Sequence, residues 1–200
     1  MTSRPPHAAL LLAAGASRRL GQPKALLRRD GEPLVRRVAR LLLETAPSEC
    51  VVVVGDGHDA ISQALAGLPV RVVPNPDWRD GLSASLRRGA EALAAHAGST
   101  LIATLDQLHL DAAHLCALRD APDPARDAVS AYAGTCGVPA RVSRATLDAA
   151  RTLRGDRGFG VRWATLRPPP HRIVCEALAF DLDTPDDLAH ARAQGWIDPA

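Results

Sequence analysis

The run Leu12-Ala13-Ala14-Gly15-Ala16-Ser17-Arg18-Arg19-Leu20-Gly21-Gln22-Pro23-Lys24 places small residues and cations in one short loop. Small residues at the C-terminal end of a first parallel strand let the backbone approach a ligand closely. Exposed N–H groups there, with Arg18 and Lys24, make a concave site for phosphate oxygens. The loop is not Walker A, because the glycine spacing differs and Ala25 follows the lysine where Ser or Thr would bind magnesium. It also lacks the second and third glycines of the Rossmann fingerprint, which disfavours an NAD-dependent oxidoreductase. Lys24 is the single lysine in the chain. Where coding bias has put arginine at generic positive positions, the lysine that is left marks a place needing a compact ammonium.

Two carboxylates form the second constellation. Asp106 follows the apolar run Leu101–Leu105, at the strand end where open α/β sheets bind ligands. A charge beside that run needs a counter-ion, and Mg²⁺ suits a carboxylate donor. Asp183 ends a further expected strand and supplies a second ligand from across the cleft. Thr184-Pro185-Asp186-Asp187 also reads as a helix start, with Thr184 as N-cap, Pro185 at the first position and two acids on the dipole. Asp186 and Asp187 are therefore assigned to structure and Asp183 to the metal.

Two further segments complete the candidates. In Asn75–Leu86, Gly81 and the serines open a helix whose N-terminus favours anions, while Ser83 is equally an ordinary cap. Gly134–Pro139 and Gly155–Gly158 are glycine loops suited to an acceptor side, with Thr135, Gly137 and Arg157 as the residues that would meet it.

Positioning these groups needs alternating strands and helices. Strands are expected over Ala8–Ala13, Cys50–Val54, Val70–Val73 and Thr100–Leu105, then Ala128–Ala133, Val138–Val142 and Ala177–Leu182. Helices are expected over Leu34–Thr45, Asp59–Ala66, Gly81–Ala95, Asp111–Arg119 and Arg144–Leu153, with a last one from Thr184. The pattern predicts one α/β domain over residues 1–200, a three-layer α/β/α sandwich around a mostly parallel, Rossmann-like sheet. Arg4 before Ala8–Ala14 resembles a leader, but the apolar run is short and meets Ser17-Arg18-Arg19, so it reads as the buried first strand.

The motif Leu-Ala-Ala-Gly-x-Ser-x-Arg-x-Gly-x-Pro-Lys resembles the signature of the MobA-like nucleotidyltransferases, the molybdenum cofactor cytidylyltransferases above all. Asn75-Pro76-Asp77-Trp78, Gly81-Leu82-Ser83-Ala84-Ser85-Leu86 and Asp106-Gln107 are similar to other segments of that family, in the same order. So are Gly134-Thr135-x-Gly137-x-Pro139, Gly155-Asp156-Arg157-Gly158 and Asp181-Leu182-Asp183-Thr184-Pro185. The resemblance implies the nucleotide-diphospho-sugar transferase type of fold and a nucleoside triphosphate, CTP first, held by Leu12, Ala13, Ala14, Gly15, Ser17, Arg18 and Lys24. It implies that Ser85 lies near the nucleotide, with Asn75 shaping that pocket. It also implies Mg²⁺ on Asp106 and Asp183, with Arg18 and Lys24 as the catalytic cations. The acceptor would be a small phosphate-bearing molecule such as molybdopterin or a sugar phosphate. Leu108 stands where relatives usually carry Pro, and Cys136 where they often carry Arg, which bears on the acceptor more than on the chemistry.

Composition excludes other classes. The net charge of +2 and the 3% of aromatic residues give neither the basic field nor the stacking platforms of a nucleic-acid binder. No run approaches the ~20 apolar residues of a membrane span. Cys50, Cys116, Cys136 and Cys175 are too scattered for a zinc site or disulfide framework, so a reducing cytoplasm is the expected compartment. The seven histidines show no triad or metal spacing. A nucleotide-binding module without catalysis is the alternative from another class, and the intact Lys24, Asp106 and Asp183 argue against it.

Overall fold

The computed structural model describes residues 6–15 and 17–199, so Arg4 and Ala16 of the sequence reading lie outside it. In chain order the elements begin with β1 (His7–Ala13), β2 (Arg28–Arg29), β3 (Glu32–Pro33), α1 (Leu34–Glu44), β4 (Glu49–Val54), α2 (His58–Ala64), β5 (Arg71–Pro74) and α3 (Leu82–Ala92). They continue with β6 (Ser99–Ala103), α4 (Ala112–Arg119), β7 (Ala128–Tyr132), β8 (Thr135–Val142), α5 (Arg144–Ala149), α6 (Gly160–Thr165), β9 (His171–Val174) and α7 (Pro185–Ala193). β2 and β3 form a small ribbon, and the other seven strands make one sheet in the order β5-β4-β1-β6-β8-β7-β9. All of its pairings are parallel except those of β8, which runs against both β6 and β7.

Alternation along β1 explains the three layers. Ala9, Leu11 and Ala13 join Val35 of α1, Ile61 of α2 and Leu115 of α4 on one face. Ala8, Leu10 and Leu12 join Leu86 of α3, Leu147 of α5 and Trp163 of α6 on the other. A strand covered on both faces has no polar side to show, hence its unbroken apolar run. Gly89 lets α3 lie close: a Cβ there would stand 2.6 Å from the Leu10 side chain. A third apolar cluster, Leu20, Leu27, Leu34, Leu108, Leu182, Leu188, Ala191 and Ile197, fixes α7 beneath the cation-bearing loop.

One expectation is corrected here. The segment Ala177–Leu182 is not a strand: residues Glu176–Ala179 form a 3-10 turn, and only an isolated bridge joins Asp181 to Gln107. Its apolar residues mark burial of Leu178 and Leu182, not sheet pairing, and short apolar runs do not distinguish the two. The strand of that region is β9, just after Pro168-Pro169-Pro170, where the apolar signal is only Ile173 and Val174. The Gly- and Arg-rich stretch after Leu153 contains α6, whose buried Trp163 donates its indole N–H to Asp127 at 2.9 Å.

Two buried basic residues brace the edge of the sheet remote from the cation-bearing loop. Arg141, 1% exposed, donates to the carbonyls of Arg119 (3.0 Å), Ala121 (2.7 Å), Asp123 (2.9 Å) and Arg126 (2.7 Å), with that of Pro122 at 3.5 Å. His7, 4% exposed, shares a hydrogen bond of 2.9 Å with Thr45 Oγ1. Burial, reinforced by Arg119, lowers its pKa to about 4. The native state therefore resists the proton that an unfolded chain accepts near 6.5. The contribution to stability is full above pH 6.5, is lost as pH falls from 6.5 to about 4, and is level below that. It amounts to ~3 kcal/mol at most. Urea titrations at pH 7.5 and 4.5 will show His7→Gln losing less stability on acidification than the parent chain, and equal losses would refute the assignment.

Candidate active site

A cleft of about 550 Å³ opens at the C-terminal ends of β1 and β6. The loop after β1 makes one wall. Ser17 adopts a left-handed conformation, φ 50°, of a kind that non-glycine residues hold where surrounding contacts enforce it. Its carbonyl accepts from the Gly21 N–H and its Oγ from the Lys24 N–H, both at 3.1 Å. The loop thereby closes on itself and turns Arg18, Arg19 and Lys24 toward the cleft. Behind it Gly55 is needed for room, since a Cβ would stand 2.6 Å from the Ala14 carbonyl oxygen and 2.8 Å from Trp78 Cβ.

The facing wall carries the acids. Asp106 lies just past the end of β6, and its Oδ1 accepts from Thr104 Oγ1 at 2.5 Å. The Asp106 carbonyl accepts from the Leu182 N–H at 2.9 Å, so the two acidic segments are stitched side by side. Asp183 precedes α7, whose capping box has Thr184 and Asp187 satisfying each other's backbone N–H groups. The Asp187 carboxylate also takes the Asp183 N–H at 3.0 Å, so α7 fixes the height of Asp183 over the cleft. Asp186 and Asp187 are thus structural, as their position in a helix start suggests.

Acids and cations meet in one triad. Lys24 Nζ donates to Asp183 Oδ1 and Arg19 Nη2 to Asp183 Oδ2, both at 2.8 Å. Asp181 keeps a solvent-facing surface, yet partial burial and the charges of Asp106 and Asp183 push its carboxyl up to about 6, against the pull of Lys24. Asp106 and Asp183 offer hard oxygen donors of the kind a divalent cation takes. No group of three His, Cys, Asp or Glu close enough to enclose a metal exists among the described residues, so a bound phosphate group would have to complete the set.

The third wall is the start of α3. Gly81 (φ 93°) has no room for a Cβ, which would collide with Asp156 and Gly155. Ser83 N–H donates to the Gly155 carbonyl at 3.0 Å and Leu82 N–H to Asp156 Oδ1 at 3.4 Å. Gly155-Asp156 therefore caps α3 on the side where Ser85 lines the cleft. Ser85 Oγ accepts from buried Asn75 at 3.2 Å.

Of the residues singled out in the sequence, Leu12, Ala14, Gly15, Ser17, Arg18, Lys24, Ser85, Asp106 and Asp183 line this one cleft. Ala13 and Asn75 lie behind its surface. Thr135, Gly137 and Arg157 do not line it. Gly137 sits at the start of β8, where a Cβ would stand 2.8 Å from the Tyr132 hydroxyl, and that hydroxyl donates to the Val138 carbonyl at 3.2 Å. Buried Gln107 donates to the same carbonyl at 2.9 Å, tying the β7–β8 hairpin to Asp106. Thr135 and Arg157 are exposed. Leu108 is buried in the third apolar cluster, and its carbonyl accepts from Arg29 at 2.7 Å.

Sequence reasoning missed Arg19, Trp78, Arg79 and Asp156 as cleft groups, and Asp181 as an acid coupled to Asp106 and Asp183. Arg19 had a signal, because the arginine of the Gly-x-Ser-x-Arg-x-Gly pattern falls on residue 19 and not 18. Trp78 and Arg79 line the cleft together, the guanidinium carbon lying 4.5 Å from the ring centroid.

Comparison with known proteins adds to this geometry. The family model of the MobA-like NTP transferase domain matches residues 9–170. A curated protein of Paenarthrobacter nicotinovorans, nicotine blue oxidoreductase, is 34% identical over 94% of this chain and 97% of its own length. A probable molybdenum cofactor guanylyltransferase of Synechococcus elongatus is 44% identical over 69 residues, 34% of each chain. Among solved structures, a Methanothermobacter nucleotidyl transferase superposes with a TM-score of 0.78 at 26% identity, covering 94% of this chain and 97% of that one.

Proposed function

The chain belongs to the MobA-like NTP transferase family, and from that premise we propose that it moves a nucleoside monophosphate from a nucleoside triphosphate to a small phosphate-bearing acceptor, releasing pyrophosphate. One observation carries the reading: Arg18, Arg19 and Lys24 line one cleft with the Asp106 and Asp183 carboxylates, with Lys24 and Arg19 both bonded to Asp183. CTP is the first triphosphate and molybdopterin the first acceptor to test.

In this reading an acceptor phosphate oxygen attacks the α-phosphorus, and the bond to the bridging oxygen of pyrophosphate breaks. The attacking oxygen is already anionic near neutral pH, so the chain supplies position and charge, not a base. Asp106 and Asp183 would hold Mg²⁺, which when bound would neutralise phosphate charge. Lys24, Arg18 and Arg19 stabilise the charge that builds on the α-phosphate and the departing pyrophosphate. Backbone N–H groups of Ala14, Gly15 and Ser17 surround the triphosphate, and Ser85, oriented by Asn75, meets the nucleoside. Thr135, Gly137 and Arg157 flank the acceptor, beyond the surface of the nucleotide cleft.

Thermal unfolding with CTP, GTP, ATP and UTP, each with and without Mg²⁺, tests the reading. A ligand that binds the native state raises its melting temperature by mass action. Mg²⁺-dependent stabilisation by CTP is the expected result. A response to GTP alone changes the donor, and no response to any triphosphate at millimolar concentration refutes the transferase reading.

A second reading rests on the relative named nicotine blue oxidoreductase, which aligns over nearly its whole length. Stabilisation by NAD(H), with none by triphosphates, would select that redox reading.

A further inference from the structure

The ion pairs of Asp183 carry a consequence for how the site fills. Both carboxylate oxygens are taken by protein cations, Lys24 at 2.8 Å and Arg19 at 2.8 Å. Lys24 keeps only 13% of its side-chain surface, so its pair is partly withdrawn from solvent and outlasts an ordinary surface contact. The Asp183 main chain is fixed by the bond from its N–H to Asp187 at 3.0 Å and by the capping box of α7, so its carboxylate stays within reach of both cations. Asp106 differs: its carboxylate has a hydroxyl partner in Thr104 and no cation at bonding distance among the described residues.

We infer that Asp183 is a two-state carboxylate, a clasp on Lys24 and Arg19 in the empty protein and a cation ligand only once those two groups have moved. Triphosphate oxygens are the competing anions that draw Lys24 and Arg19 off. Entry of the nucleotide then frees Asp183 at the moment its phosphates arrive to complete the cation's coordination. The empty protein holds a divalent cation weakly, through Asp106 and its surroundings, and nucleotide and cation reinforce each other beyond their affinity in solution. This inference rests on the cation reading of Asp106 and Asp183, and it requires no knowledge of the acceptor.

The test is Mn²⁺ binding to nucleotide-free protein, followed by the loss of the free-ion electron paramagnetic resonance signal. Lys24→Met is expected to tighten Mn²⁺ binding about tenfold, on the order of a unit charge removed at close range in a partly screened site. In the Asp183→Asn background the same change is expected to bring no gain, because the freed ligand is gone. Arg19→Met, at a residue with 74% of its side chain exposed, repeats the comparison with little risk to folding. If Lys24→Met leaves Mn²⁺ affinity unchanged, Asp183 was never withheld and the inference fails. If the gain survives Asp183→Asn, Lys24 acts only through the general field at Asp106 and the inference fails equally. Failure of every triphosphate to bind would refute the transferase reading while leaving this metal titration intact, so the two outcomes are separable.

Discussion

Lys24→Ala is expected to lower turnover by on the order of a hundredfold or more, measured as pyrophosphate release from CTP with molybdopterin as acceptor. The Lys24 backbone N–H is held by Ser17 Oγ and its ammonium by Asp183, so the charge rises from a fixed base beside the cleft. Once on the phosphates the charge needs no further reorientation as the pentavalent phosphorus forms, and its loss falls mainly on the rate of the chemical step. Lys24→Arg separates charge from shape. A planar guanidinium restores charge but not the compact contact at Asp183, and a partial recovery is expected. An unchanged rate in Lys24→Ala would remove the residue from the catalytic assignment. A loss confined to the KM for CTP would make it a ground-state binding group.

The second large effect concerns stability. Arg141→Leu is expected to cost about 3 kcal/mol or more, read as a lower urea midpoint at unchanged slope. The guanidinium serves the loop between α4 and β7, whose carbonyls have turned inward. Burial lowers its pKa below the ordinary value, while Asp127, Asp123 and Asp120 hold it up. Removing it strands several buried acceptors at once. Arg141→Lys should recover only part of the loss, since one ammonium cannot span carbonyls laid out around a planar fork. A midpoint shift below 1 kcal/mol in Arg141→Leu would show that water replaces the side chain freely.

The legible part of the molecule is the part governed by short spacing. The β1 run, the loop to Lys24, the helix start at Thr184 and the strand before Asp106 are local patterns, and each stands where its residues indicate. What stayed illegible depends on distant partners. Nothing local in Ala177–Leu182 says that Leu178 and Leu182 are buried without sheet pairing. Nothing near Arg19 says that it reaches Asp183, 164 positions on. Gly155-Asp156 reads as a loop like any other until α3 comes to rest against it. Asp181 becomes unusual only through neighbours that the fold brings to it.

The reversed direction of β8 divides the molecule's evolutionary freedom unevenly. Its neighbours deliver their C-terminal ends to the same edge, but β8 begins there, joined to β7 by a hairpin tip of only Ala133 and Gly134. A tip of that kind tolerates growth or exchange of residues without moving the register of β1, β4 or β6, on which the cation loop and Asp106 depend. One half of the edge is thereby kept under heavy constraint while the other is open to drift. If the hairpin flanks the acceptor, as proposed above, remodelling it would change the acceptor without disturbing the strands that carry the cation loop and Asp106.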